Sequence, residues 1–163
     1  MSEYSRYFAL AGVIALGLVV QVMLIGLYAI PAPYKTATAF AKAYYKLDPS
    51  MEGYLCEDSR FDDDDVNVTA QYIYEKDRSA QSRGFKISYL KSQLYNIETH
   101  TTYASDTEAT VEISAVRRTA INPLFAWVAK LFFIHGSHPV KGTIEVVKEN
   151  GRWKVCANSF SAV

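Results

Sequence analysis

Cysteine is almost missing from this 163-residue chain: there are two, Cys56 and Cys156, with no C-x-x-C pair and no histidine cluster beside either. That pattern excludes a dithiol redox motif and a cysteine-based zinc site. No charge of one sign prevails. Seventeen Lys and Arg balance seventeen Asp and Glu, so no overall field draws a nucleic acid, and no nucleic-acid partner is expected. Absent too are a G-x-S-x-G elbow, a Walker loop and a dinucleotide fingerprint. No catalytic residue, cofactor or metal ligand set is therefore expected, and the chain does not read as an enzyme. From residue 8 to residue 30 charge is absent altogether, and Gln21 is the only strongly polar side chain.

That uncharged run is the strongest positive signal. Its residues would span roughly 35 Å as a helix, enough to cross a bilayer core of about 30 Å with some tilt. Tyr7 and Tyr28 stand near its ends, where amphipathic rings favour the headgroup layer, and Pro31 and Pro33 stop it. The expected layout is a leader over 1–7, a transmembrane helix over 8–30 and a proline-containing linker over 31–35. A cleavable signal would have a shorter apolar stretch, a more basic leader than Arg6 against Glu3, and a small-x-small cleavage site. No cysteine follows the run, which excludes a lipoprotein. Lys35, Lys42 and Lys46 beyond it argue for a cytoplasmic domain, yet folded domains translocate despite modest charge. The two cysteines read either as one structural disulfide in an oxidising compartment or as two buried free thiols. The expectation is a domain outside the cytoplasm, periplasmic if the source is bacterial.

Beyond the linker, half the residues of the chain are apolar and tyrosine (12) and phenylalanine (8) abound, the composition of a folded domain. Ala37, Phe40, Ala41, Tyr44 and Tyr45 fall on one face of a helix over 36–46. A helical turn is expected at 51–55. The acidic run Asp62-Asp63-Asp64-Asp65 is expected to open a further helix reaching Arg83, with Val66, Ala70, Ile73 and Tyr74 on one side and Gly84 as its stop. The period then changes to two. Phe85, Ile87 and Tyr89 begin a strand reading that continues to Tyr103. Ala104-Ser105-Asp106-Thr107 is a turn. Ala109, Val111, Ile113 and Ala115 form the clearest strand, a further strand runs over 140–148, and Asn150-Gly151 turns into a last strand with Trp153 and Val155 inward.

Helices first and antiparallel strands after define an α+β domain, with helices on one face of a curved sheet. That order, with the closing run Val146-Val147-Lys148-Glu149-Asn150-Gly151-Arg152-Trp153-Lys154-Val155, resembles the nuclear transport factor two-like superfamily, most of all its small membrane-anchored bacterial domains. The resemblance covers 36–160, with 161–163 a tail. It implies a cone with a pocket between sheet and helices, and it implies no particular activity, because this fold hosts isomerases, dehydratases, binding modules and scaffolds. Enzymes of the superfamily commonly pair an Asp with a Tyr or His in the pocket. Here the inward strand positions Ala109, Val111, Ile113, Ile144 and Val146 are apolar. Tyr44, Tyr45, Tyr72, Tyr74 and Tyr95 are candidates to line a pocket, although aromatics at such spacings also serve as core.

One stretch does not suit a plain sheet. Between Arg117-Arg118 and the strand at 140 lies an insert, 121–136, in which Asn122 is a good N-cap, Pro123 suits the first helical position and Gly136 a helix end. Leu124, Trp127, Val128, Leu131 and Phe132 share one face, while Phe125, Phe133 and Ile134 lie off it. At about 21 Å it is too short to span a bilayer. It reads either as a core helix closing the cone or as a contact with the membrane interface or a neighbouring membrane subunit, with Arg117, Arg118 and Lys130 meeting headgroups. The second is favoured. Calcium at Asp62–Asp65 lacks the alternating ligands, turn glycine and closing acid of such a loop, and His100, His135 and His138 match no zinc spacing.

The sequence thus reads as a non-catalytic, single-pass accessory or scaffold subunit of a membrane complex. Its expected partners are the lipid bilayer and other integral membrane subunits. The alternatives are a cone-pocket module for a small apolar ligand or lipid, or an isomerase- or dehydratase-type enzyme.

Overall fold

The computed structural model describes residues 3–119, 137–156 and 161–162. It divides into two units, 1–31 and 32–163. The first is a single helix, α1 (Glu3–Ala29, 27 residues). Its described side chains, Tyr7 and those over 10–26, are all exposed. Among the described residues no helix is long and apolar enough to cross a membrane. The expected span over 8–30 extends beyond the side chains described at both ends of α1, so its membrane placement is a matter for the proposal below.

The second unit starts with α2 (Pro33–Lys46), which has proline in its first turn and buries Ala37, Phe40, Ala41 and Ala43. Leu47 closes it in the left-handed region at φ 54°, its N–H reaching back to α2 carbonyls. Asp48 then caps a 3-10 turn, Pro49–Tyr54, accepting from the Ser50 N–H. A second 3-10 turn, Glu57–Ser59, leads to the acidic run.

That run does not open a helix. The Asp62 carboxylate accepts the N–H groups of Asp64 (3.0 Å) and Val66 (2.9 Å), folding the acids into a tight loop with Asp65 at φ 59°. A short side chain satisfying nearby backbone donors is a local alternative to a helical turn. Asn67 supplies the cap instead, accepting from the Ala70 N–H at 2.9 Å, and α3 runs over Val68–Ser82.

The strand expected from Phe85 is also absent. Gly84 turns at φ 76°, Phe85 N–H bonds back to the Ala80 carbonyl, and Ile87–Tyr89 is a 3-10 turn. The alternation there is not a sheet's burial pattern, since Phe85 and Tyr89 are both exposed. The backbone is satisfied within the turn, Tyr89 N–H to Lys86 O and Leu90 N–H to Ile87 O.

The sheet follows: β1 (Ser92–Tyr103), β2 (Glu108–Thr119), β3 (Ser137–Glu149) and β4 (Arg152–Val155) pair in sequence order, all antiparallel, and β5 (Ser161–Ala162) pairs with β3. The register slips between Tyr95 and Glu98, with Asn96 at φ 49°, so edge strand β1 carries a bulge. Val111 lies opposite Ile144 and Ala109 opposite Val146, which in turn faces Val155. These paired residues form one buried face with Ile113 and Trp153, against Ala37, Phe40 and Ala41 of α2 and Met51 and Leu55. The architecture is α+β, helices first and then an antiparallel sheet.

Cys56 and Cys156 form a disulfide, 5.1 Å between Cα atoms and 100 residues apart in sequence. The sheet brings them together: Leu55 makes a parallel bridge to Val155, and Cys56 N–H donates to the Val155 carbonyl at 2.8 Å.

Candidate functional site

Three of the five tyrosines picked out as pocket lining come together. Tyr44 stacks on Tyr72 with centroids 4.7 Å apart, and Tyr45 meets Tyr44 edge-on at 5.5 Å. Adjacent positions on α2 can both reach inward here because the group lies at the rim of the core, packed against it rather than at its centre. A tilted Phe40–Tyr44 contact at 6.1 Å continues the aromatic row towards the buried face. Tyr74 and Tyr95 do not join it. Tyr74 is 65% exposed on α3, and Tyr95 points out from β1 with Arg118 over its ring at 5.1 Å and its hydroxyl 2.6 Å from Gln93 Oε1.

Two partners of the cluster were not expected there: Ser92, and Arg117, which the sequence reading assigned to lipid headgroups. Arg117 lies opposite Leu94 in the sheet, its guanidinium 5.5 Å from the Tyr45 ring centre. Its Nε donates to the fully buried Ser92 Oγ at 2.9 Å. The pairing is non-local, 25 residues apart, so only the strand register reveals it. Burial pushes the Tyr45 phenol above its ordinary range, partly offset by the Arg117 charge. Tyr72 is pushed up further, by burial and then by its hydrogen bond with Tyr44. Both are therefore neutral phenols at physiological pH: donors that can hold a contact, not bases that can take a proton.

The space between α2 and the sheet is small. A cavity of about 10 Å³ remains, lined by residues including Ala41, Tyr45, Leu94, Ile113 and Val140. That is room for one water at most. A larger hollow, about 490 Å³, lies open on the sheet around Glu98, His100, Glu112, Ser114, Lys141 and Thr143. Alternation puts these six on the face opposite the buried Val111 and Ile113. Among the described residues no three His, Cys, Asp or Glu stand together as a metal site.

The other named candidates divide simply. Leu124, Phe125, Trp127, Val128, Leu131, Phe132 and Phe133 lie outside the described residues, as do His135 and Lys130. The strands that flank them are described: β2 ends at Thr119, paired with Ser92, and β3 begins at Ser137, paired with Arg118. The insert thus departs from the end of the sheet at which β1 starts. Charge is segregated towards that end. Residues 113–144 contain no Asp or Glu, and neither do 78–97. Asp106, Glu108 and Glu149 stand at the opposite end, around the β1–β2 turn and the β3–β4 turn.

No protein-family model and no curated protein sequence matches the chain. Solved structures similar to it include two described as nuclear transport factor two-like proteins. One, from Novosphingobium aromaticivorans and described as having a cystatin-like fold, has TM-score 0.46 and 11% identity over 85% of this chain and 82% of that one. A scytalone dehydratase candidate from the same species gives 0.44 and 16%, covering 83% of each chain. A protein of unknown function from Shewanella oneidensis gives 0.42 and 11%, over 76% of this chain and 94% of that one. With each TM-score below 0.5, these likenesses carry no argument about activity, and the architecture rests on the elements themselves.

Proposed function

We propose that this chain is a non-catalytic, single-pass accessory or scaffold subunit of a membrane complex, built on a nuclear transport factor two-like domain held outside the cytoplasm. The observation that carries this reading is the packing of α2 on the sheet among the described residues. Tyr44 stacks on Tyr72 with Phe40 beside it, and the cavity next to Tyr45, between α2 and the sheet, holds about 10 Å³. A pocket for a drug-sized molecule needs about 300 Å³ or more. An isomerase or dehydratase would also need a general base, and Tyr45 and Tyr72 are held protonated by their burial.

The uncharged run over 8–30, lying almost wholly within α1, supports the membrane anchor. The Cys56–Cys156 bridge supports an oxidising compartment. The apolar insert, which lies within a segment, 113–144, that has no Asp or Glu, supports docking on an integral membrane neighbour through Trp127, Leu131 and Phe132. The test is native electrophoresis of membranes in mild detergent. The chain should migrate with other subunits, and replacing Trp127, Leu131 and Phe132 with serine should release it. Migration alone with the wild-type sequence, at natural abundance, overturns the scaffold role.

A further inference from the structure

We propose that the basic end of the sheet is a docking surface for anionic lipid headgroups, with Phe85 and Tyr89 entering the interfacial layer. The proposal goes beyond the scaffold reading, because it concerns a lipid surface rather than a protein partner and requires no anchor. Its elements lie between α3 and β1. Phe85 is 55% exposed and Tyr89 65%, and their rings lean together at 6.1 Å. Lys86 is exposed between them, Arg83 precedes and Lys91 follows. The turn is a defined shape, fixed by the left-handed Gly84 and by the bond from Phe85 N–H to Ala80 O.

The register then adds charge to the same end. Ser92, directly after Lys91, pairs with Thr119, so the exposed Arg118 stands at the strand end beside it, while Arg117 is held inward by Ser92 and Tyr45. With residues 78–97 and 113–144 both free of carboxylates, no acid of these segments neutralises this cluster. The whole chain is neutral, seventeen against seventeen, so this is segregation and not excess. Clustered Lys and Arg meet an anionic headgroup plane, while exposed aromatic rings beside them suit the boundary between headgroup and acyl chain. A purely acidic protein surface would match the charges and leave the two rings in water.

The test uses the full chain with Ser88→Cys as a fluorophore site. The bridged Cys56 and Cys156 leave the introduced thiol as the one to label. A companion probe at Ser105→Cys reports the acidic end. Each protein is mixed with vesicles of phosphatidylcholine alone or with phosphatidylglycerol added, and quenching by an aqueous ion is measured. The expected result is severalfold protection at position 88 with phosphatidylglycerol only, reversed by high salt, and none at position 105. Arg83→Gln/Lys86→Gln/Lys91→Gln should abolish the protection, and Phe85→Ser/Tyr89→Ser should weaken it, each checked for native near-ultraviolet dichroism. Equal quenching in both vesicle types overturns the proposal. So does protection that appears in neutral vesicles, or that requires added membrane proteins. Flotation of the same samples reads the anchor separately: chains that fail to float with phosphatidylcholine count against the span over 8–30 and leave the probe result standing.

Discussion

The phenol of Tyr72 sits where burial and the hydrogen bond it gives to Tyr44 both oppose ionisation. Its ordinary value is 10.0, which the unfolded chain adopts, and the folded value is higher. The stability this neutral phenol contributes is complete below pH 10 and is lost as pH rises towards the folded value, because the unfolded state then binds fewer protons. Tyr45 acts in the same direction. The urea midpoint should therefore decline when pH is raised from about 8 to about 11, and Tyr72→Phe should flatten that decline. Neighbouring positions respond to different physics. Ile144 is fully buried, facing Val111 across the sheet, so Ile144→Ala should cost about 2–5 kcal/mol in chemical denaturation. Asn67 is a cap at the surface, and Asn67→Ala should cost about 1 kcal/mol, seen as loss of α3 helicity and a lower melting temperature.

Among the elements, strand β2 was the most legible in sequence, and its four inward positions, Ala109, Val111, Ile113 and Ala115, are all buried. One-face burial imposes a period of two, and that signal needs no partner to be read. The same period at Phe85, Ile87 and Tyr89 misled, because there the apolar residues face outward and the local turn takes the backbone bonds. The acidic run misled for a related reason: Asp62 serves its own loop rather than the dipole of α3. Of the candidate site, Tyr44 and Tyr45 were legible through helical spacing, while the face read for α3 carried Tyr74, which is exposed, and not Tyr72. The contacts of Arg117 with Ser92 and Tyr45 were not legible, since they follow from a register that spacing cannot supply. The disulfide between Cys56 and Cys156 was one of the two readings the sequence left open, and β4 lying beside residue 55 brings the two cysteines together. Closing so long a loop restricts the unfolded chain strongly, and Cys56→Ser/Cys156→Ser should lower stability by roughly 2–5 kcal/mol. Unreduced, denatured protein should expose no titratable thiol.

For the whole molecule, the proposed anchor has a direct consequence, because it would place the uncharged run over 8–30 in lipid. Alkaline carbonate should leave the protein in the membrane pellet, and recovery of intact chain in the supernatant would remove the anchor from the proposal. The order of helices and strands was plain in sequence because each element carries its own period. How open the cone is was not, since cavity volume depends on how the Tyr44–Tyr72 stack fills the space.

The bridge also changes what a broken backbone would mean. It encloses α3 and β1, β2, β3 and β4 in one covalent ring, so a single cut in the turn after Tyr103 opens the ring without freeing either piece. Such a clipped molecule keeps its mass on an unreduced gel and falls into two bands only when a thiol is added. A protease that makes this one cut leaves the two pieces of the domain joined.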